Sequence, residues 1–290
     1  MLTNRNRQKN IIIVSFLVIP TILLAVFVIF PLFKLFHLSF TDWDGMSKTI
    51  GYVGVNNYVD VVKDSDVWVS LRNNGTYFVI HLLFIPIEMF IAFLLDKRVR
   101  FSKGFKGIVF LPYIINGVAV AYMFSFLYSS QGGVLNSILE LFGVAPVSWI
   151  SNMKTVNFSL AAVSIWRFCG IHVILFLAGI QSIQGEMLEA AKVDGANSFQ
   201  LFTKIVIPNI RTVIEIILFL NVRGALMIFD IPFVMTSGGP GKSSTTFTLY
   251  TIQQAFTYSH FGKASAMAVV LLVMIVILSV IQKKVISEKR

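Results

Sequence analysis

Long apolar runs recur along this chain and restrict its fold more than any other feature. A transmembrane helix needs roughly 20 consecutive, predominantly apolar residues. Each run should be helical, because a chain in lipid must satisfy its own backbone hydrogen bonds. We therefore predict an all-α integral membrane protein with about six transmembrane helices. The predicted spans are Ile11–Phe36, Asn74–Leu95, Gly107–Tyr128, Phe158–Ile180, Arg211–Met235 and Ala264–Ile281.

The composition agrees with a membrane location. Charged residues make up 13% of the chain and hydrophobic residues 56%, whereas a soluble domain keeps about 25% charged residues to hydrate its surface. The net charge of +10 does not indicate nucleic-acid binding. The basic residues lie in short segments between the apolar runs, where positive charge sets the orientation of a membrane protein.

The distribution of Lys and Arg predicts the orientation. The N-terminus, the second and fourth loops and the C-terminus together carry fifteen Lys and Arg residues, and the other three loops carry six. The positive-inside rule places both termini in the cytoplasm. We predict a cytoplasmic N-terminus at residues 1–10, a transmembrane domain at 11–282 and a cytoplasmic C-terminus at 283–290.

The fourth loop contains a patterned cytoplasmic segment, residues 185–209, which we call the elbow. Residues 186–194 are good helix formers with Glu186 in the first turn, where the helix dipole favours it. Gly195 suits the left-handed turn after a helix. Asn197 or Ser198 can then cap a second helix, Phe199–Ile207, which Pro208 should end. One face of the first helix should carry mostly small and apolar residues: Met187, Ala190, Ala191 and Asp194.

Two interpretations of the elbow are open from its residues alone. It is either an amphipathic helix that lies on lipid headgroups or a helix that docks into a groove of another protein. The spacing of Glu189-Ala190-Ala191, Gly195, Ile205 and Pro208 resembles the EAA signature of binding-protein-dependent ABC importer permeases. Ile207 stands where that signature usually has Leu.

Other stretches resemble the maltose, glycerol-phosphate and multiple-sugar branch of that family, over nearly the whole chain. They include Ser39-Phe40-Thr41-Asp42, Leu111-Pro112, Leu177-Ala178-Gly179-Ile180-Gln181 and Thr236-Ser237-Gly238-Gly239-Pro240-Gly241. The resemblance implies the type I importer permease fold and a location in a bacterial or archaeal plasma membrane. It also implies a non-catalytic subunit that forms half of the pore of an ATP-driven carbohydrate importer. The sugar is expected to be an oligosaccharide or another carbohydrate.

The resemblance further implies the partners. These are a homologous second permease, two copies of an ATPase subunit that bind ATP and Mg²⁺, and an extracytoplasmic solute-binding protein. This chain would bind no cofactor or metal itself. The coupling residues implied for the ATPase contact are Glu189, Ala190, Ala191, Asp194, Gly195, Ile205 and Pro208, and Glu189 would pair with a basic residue of the ATPase.

Ionisable and polar residues inside the spans indicate a solute path. A charged side chain at the centre of a transmembrane helix costs about 2.5–3.5 kcal/mol on insertion scales, so it should face away from lipid. Candidates for a polar sugar cavity are Asn221, Arg223, Asp230 and Arg167. The alternative is a helix–helix ion pair, for instance of Glu88 or Glu215 with an arginine of the same bundle.

Several patterns do not carry function. Gly241-Lys242-Ser243 resembles the end of a phosphate-binding loop, but Thr236 stands where that loop needs its first glycine. The four histidines are scattered without metal-ligand spacing. The alternatives to an importer subunit are a membrane enzyme and a secondary sugar or ion transporter acting without an ATPase. Secondary transporters usually show internal repeats or broken helices, and the sequence indicates neither.

Overall fold

A computed structural model describes residues 2–96 and 102–287. Across these residues the chain is helical, and the only β-bridge in this part of the chain joins Thr41 and Tyr52. This confirms the predicted all-α membrane fold. The helices that are long and apolar enough to cross a membrane are Ile12–Leu38, Ser65–Asp96, Val156–Gln181, Arg211–Thr236 and Phe261–Val285.

The third span is not the straight helix predicted over Gly107–Tyr128. Two helices, Gly104–Ile114 and Gly117–Leu127, meet at an angle of 95°. The side chain of Asn116 accepts a hydrogen bond from the backbone N–H of Val118 at 2.9 Å and so caps the second helix. If this bent pair is counted as one span, the number of membrane-crossing segments rises from five to six.

Shorter helices connect the spans. The first span contains a π-helical turn at Ala25–Ile29, and the fifth consists of Arg211–Met227 followed by Asp230–Thr236. The remaining described helices are Asn56–Lys63, Val134–Leu141, Gly185–Val193, Ser198–Gln200, Leu201–Val206, Ile207–Asn209, Phe247–Ile252 and Gln253–Thr257.

Two compact units make up the chain. The first comprises the chain up to Asp64 together with Thr251–Leu272. In it, Gly262 lies so close to residue 41 that an added Cβ would be 1.9 Å from the carbonyl oxygen of Thr41. Its N–H donates to the carbonyl of Trp43 at 3.0 Å. The first span exposes its apolar side chains along its whole hydrophobic window, as a helix in lipid does.

The second unit comprises Ser65–Tyr250 and the chain from Val273. The fourth span, Val156–Gln181, is its most buried membrane segment. Apolar side chains of the second, fourth and fifth spans pack around Phe176, and a second cluster surrounds Leu160. The unit therefore has a packed interior on which polar residues can be positioned.

Gly170 permits close approach of the fourth span to the third. A Cβ at this position would lie 2.2 Å from the carbonyl oxygen of Val109, and small residues are common where membrane helices touch. We expect Gly170→Ala to destabilise the protein by about 1–3 kcal/mol, because the two backbones must separate. Thermal unfolding of the detergent-purified protein measures this.

Gly75→Ala is the matched control for Gly170→Ala. Gly75 also lies inside a long helix, but nothing lies within 4 Å of its added Cβ. Alanine should stabilise that helix by about 0.5–1 kcal/mol, since glycine loses more backbone entropy on folding. Equal melting temperatures for the two variants would refute the proposed close approach.

Candidate functional site

The elbow is a folded helix–turn–helix segment. Its first helix is Gly185–Val193, and Gly195 follows with φ of +83°, in the left-handed region that favours glycine. Asn197 caps the next helical turn, with its side chain accepting from the N–H of Gln200 at 2.8 Å and its own N–H donating to the Gln200 side chain. The predicted helix, turn and cap of the elbow are thus confirmed.

Pro208 does not end the second helix of the elbow, as the sequence had suggested. The chain passes through a π-helical turn at Leu201–Val206 and continues helically through Ile207–Asn209. Pro208 lies in the first turn of Ile207–Asn209, where a backbone N–H would have no intrahelical acceptor, so proline is tolerated. The helical path breaks two residues after Pro208, at Ile210.

The first helix of the elbow packs one face against the bundle and leaves another face exposed. Leu188 and Ala191 pack against the apolar cluster around Phe176, whereas Met187, Ala190 and Asp194 are exposed. Ala191 alone of the predicted small-residue face therefore packs inward.

The outward face of the elbow includes Glu189, which forms no hydrogen bond or ion pair within the described residues. Ile205 is half-buried and Pro208 is exposed. Val193 and Phe199, which the sequence analysis did not select, are 88% and 72% exposed. The elbow therefore offers a surface with three exposed acidic side chains, Glu186, Glu189 and Asp194, and three exposed large apolar side chains, Met187, Val193 and Phe199.

A cavity of about 400 Å³ lies in the second unit, and we call it the polar cavity. The four residues predicted for a solute path all line it: Arg167, Asn221, Arg223 and Asp230. The structure therefore brings these candidates together, although they come from different spans. Aromatic side chains, including Tyr113 and Phe168, form part of the same wall.

The charged candidates differ in their partners. Nη1 of Arg167 donates to Oδ2 of Asp230 in an ion pair whose side chains are 16% and 31% exposed. Asn221 is buried and its Nδ2 donates to the carbonyl of Phe78 at 3.4 Å. Arg223 is exposed and has no ion pair within the described chain. Its guanidinium group is thus available to the cavity.

Two interrupted spans meet at the ion pair. The fifth span is interrupted at Ile228–Phe229, and Asp230 begins its second helix. A Cβ on Gly117, the first residue after the bend of the third span, would lie 1.8 Å from Oδ2 of Asp230. The expectation of unbroken helices is therefore wrong, and the breaks allow irregular backbone to line a polar cavity.

Asn74 supports the break in the fifth span. Its Nδ2 donates to the carbonyls of Ala225 and Leu226 at 2.5 and 3.2 Å, and its Oδ1 accepts from the N–H of Phe247 at 2.8 Å. These carbonyls have no intrahelical partner because the helix ends at Met227. Asn74-Gly75-Thr76 matches the Asn-X-Thr pattern of a glycosylation site, but Asn74 is 1% exposed and so is not accessible for glycosylation.

We expect Asn74→Ala to destabilise the protein by about 2–4 kcal/mol, because it leaves buried backbone groups without partners. Asn152→Ala is the control. Asn152 is exposed and its side chain accepts only from the N–H of Lys154, so its removal should change stability by about 0.5 kcal/mol or less. Melting temperatures of the purified variants test the difference, and similar values would contradict the support role.

Buried pairs beside the cavity include residues that the sequence analysis passed over. Glu88 is paired, but with His172 rather than with an arginine, at 2.9 Å. Glu215 does pair with an arginine, Arg211 at 3.6 Å, but this residue lies four positions away on the same helix, so the predicted pairing between two helices is wrong for Glu215 as well. Histidines were considered only as metal ligands, so His81 and His172 were missed. A sequence signal was available for His81, which lies seven residues from both Asn74 and Glu88, so that the three polar residues share one face of the second span.

No group of three or more His, Cys, Asp or Glu residues able to hold a metal occurs within residues 2–96 and 102–287. The prediction that this chain binds no metal or cofactor stays a prediction.

The proteins of similar sequence or structure described next are all components of transport systems. Residues 84–288 match the family model described as a binding-protein-dependent transport system inner membrane component. An osmoprotective compounds uptake permease protein of Synechocystis sp. is 36% identical over 89% of this chain and 93% of its own length. A multiple sugar-binding transport system permease protein of Streptococcus mutans is 31% identical over 93% of each chain.

A solved structure shares the fold. A chain of a bacterial ABC transporter involved in import of the acidic polysaccharide alginate superposes with a TM-score of 0.85, covering 99% of both chains at 21% identity. At that identity the likeness concerns the fold.

Proposed function

This chain belongs to the family of binding-protein-dependent transport system inner membrane components, and on that premise we propose that it is the permease subunit of an ATP-driven sugar importer. It forms half of a translocation pore with a homologous permease. Two copies of an ATPase subunit supply the energy by binding ATP and Mg²⁺. An extracytoplasmic solute-binding protein delivers the sugar, and both termini of this chain lie in the cytoplasm.

The elbow is the observation that carries this proposal. Its inner side is packed on the bundle through Leu188 and Ala191, so a force on its outer side moves the spans attached to it. The outer side carries Glu189 and the exposed apolar side chains of Val193 and Phe199. Exposed apolar side chains next to a charge favour binding in the groove of another protein over exposure to water. ATP-driven closure of the ATPase dimer would then be transmitted as a rigid-body movement of packed helices.

The polar cavity supports a sugar as the solute. Sugar hydroxyl groups both donate and accept hydrogen bonds, and the cavity offers amide, guanidinium, imidazole and carboxylate groups between aromatic side chains. The Streptococcus relative is named for multiple sugars. An oligosaccharide or another sugar fits these observations.

Co-purification and uptake test the proposal together. The tagged chain, expressed with its operon partners and extracted in mild detergent, should bring down an ATPase and a second permease. In proteoliposomes the complex should take up labelled sugar when both ATP and the binding protein are supplied. Uptake by the chain alone, driven by an ion gradient without ATP, would instead establish a secondary transporter.

A further inference from the structure

Two buried hydrogen-bonded pairs join the second span to the fourth beside the polar cavity. Nε2 of His81 lies 2.9 Å from Oγ of Ser164, and Nδ1 of His172 lies 2.9 Å from Oε2 of Glu88. Each of these four residues is less than 10% exposed. His81 and Glu88 are seven residues apart and share one face of the second span. The importer function proposed above does not by itself require either pair.

The Glu88 contact fixes the orientation of the His172 ring. An ionised carboxylate only accepts hydrogen bonds, so pairing with a carboxylate at Glu88 requires Nδ1 of His172 to be the donor. A carboxylate on one imidazole nitrogen commonly orients the ring and determines which atom the other nitrogen presents. His172 lines the polar cavity, and within the described chain its Nε2 has no hydrogen-bond partner. Nε2 is therefore the polar atom of His172 left for a molecule in the cavity.

Tyr77 gives a second, independent observation at the same cavity. It lines the cavity and is 1% exposed, and its hydroxyl oxygen is buried without a hydrogen-bond partner among the described residues. Buried polar side chains are normally hydrogen-bonded. Nε of Arg167, on the same wall, is buried and lacks a partner in the described residues as well. The cavity wall thus carries hydrogen-bonding groups that the folded chain leaves unused.

We propose that Tyr77 and His172 determine solute specificity in the polar cavity by hydrogen bonding to hydroxyl groups of the transported sugar. Glu88 acts as a positioning residue that holds the His172 ring. This inference rests on the proposed function, since it names groups that select the sugar along the same path. A sugar hydroxyl can accept from the Tyr77 hydroxyl and donate to Nε2 of His172, so one kind of group satisfies both residues.

The test compares four labelled probes in proteoliposomes that contain the complete complex, with ATP and saturating binding protein. The probes are trehalose, maltose, maltotriose and raffinose. Tyr77→Phe and His172→Leu should each lower the transport rate of the best probe about tenfold, the effect of one lost hydrogen bond at the upper end of its usual range. They should also change the ratio of rates between probes, because the probes place their hydroxyl groups differently.

Tyr77→Phe separates specificity from structure. The substitution removes only a hydroxyl that has no partner in the described chain, so the melting temperature should stay equal or rise while transport falls. Ser159→Ala is the matched control, because Ser159 is a buried residue on the fourth span whose hydroxyl donates to the carbonyl of Trp149 at 2.8 Å. Ser159 is not among the cavity-lining residues, and its variant should keep the wild-type ratios.

The positioning role of Glu88 has its own measurement. The chain contains four histidines, so ¹⁵N-histidine labelling in nanodiscs gives few signals, and the His172→Leu spectrum assigns one of them. Nδ1 of His172 should be protonated in the wild type, and Glu88→Gln should shift that signal and the probe ratios. An unprotonated Nδ1 would overturn the positioning role.

The possible failures are distinguishable. If the wild-type complex moves none of the four probes, the proposed sugar import is contradicted for them and Tyr77 and His172 have no sugar to select. If the wild type transports a probe and both variants keep its rate and the probe ratios, the specificity inference is overturned. A uniform fall in all rates, with unchanged ratios and a lower melting temperature, would make both residues structural and also overturn it.

Discussion

Glu189→Lys is expected to abolish transport while the protein remains folded in the membrane. Glu189 is exposed in the helix Gly185–Val193 and has no partner within the described chain. Its replacement should therefore change the free energy of unfolding by about 0.5 kcal/mol or less. If Glu189 pairs with a basic residue of the ATPase, the reversed charge would face that residue directly.

The size of the effect follows from the energetics of charged pairs at interfaces. Removing one partner of a hydrogen-bonded interface pair costs about 2–5 kcal/mol, and each 1.4 kcal/mol is a tenfold change in affinity. A reversed charge adds repulsion to that loss. We therefore expect the ATPase to dissociate during purification and sugar uptake to fall below detection.

The control for charge reversal is Glu140→Lys. Glu140 is an exposed glutamate in the helix Val134–Leu141, which lies in a loop predicted to face outward. This variant should retain the ATPase in full. Wild-type ATPase retention and uptake by the Glu189→Lys variant would remove the basis for the coupling role of the elbow.

The spans were predictable because lipid imposes a simple requirement on sequence. A run of apolar residues long enough to cross the bilayer has few alternatives to a helix. The second span nevertheless begins at Ser65 rather than at the predicted Asn74, because hydropathy detects contact with lipid and not the start of a helix. Polar residues such as Asn73 and Asn74 are helical and buried there, where they bond to the protein interior.

The interrupted helices were only partly predictable. Asn116 followed by Gly117 is a recognisable helix-start pattern, so the bend of the third span left a local signal. The break at Ile228–Phe229 depends on distant partners instead. Asn74 binds the carbonyls of Ala225 and Leu226, and Thr246 donates to the carbonyl of Ile228 at 2.8 Å. No local sequence pattern predicts contacts between residues that are so far apart in the chain.

The residues of the candidate site were also only partly predictable from the sequence. The cost of charge in lipid was enough to predict that Arg167, Arg223 and Asp230 avoid the lipid, and all three line one cavity. The same cost does not apply to the neutral Tyr77, and His172 was missed because histidines were considered only as metal ligands. Glu88 and His172 are 84 residues apart in sequence, so their pairing required the packing of the second span on the fourth.

Asp230→Asn is expected to lower sugar uptake at least tenfold and to destabilise the protein by about 2 kcal/mol. Asp230 joins the start of the last helix of the fifth span to Arg167 on the fourth, and its Oδ1 also accepts from the N–H of Ile231 at 3.0 Å. Breaking a fully buried pair costs about 3–5 kcal/mol because it strands the remaining charge. The lower value applies here because the two side chains are partly exposed.

Glu215→Gln is the matched control for Asp230→Asn. Glu215 also pairs with an arginine, Arg211, but at 3.6 Å between side chains that are 32% and 35% exposed. Such a pair contributes about 0–1 kcal/mol, and neither residue is among those that line the polar cavity. Its variant should match the wild type in both melting temperature and uptake.

The double variant Arg167→Gln/Asp230→Asn separates a structural role from a role in the solute path. Neutralising both residues removes the stranded charge, so stability should return to within about 1 kcal/mol of the wild type, since paired replacement of buried ions is often nearly neutral. Uptake should stay low, because the cavity wall beside Gly117 has lost the fixed charges that orient a polar solute. Full recovery of uptake together with stability would mean that the pair only joins the two interrupted spans, and the solute path would then have to depend on Asn221 and Arg223 instead.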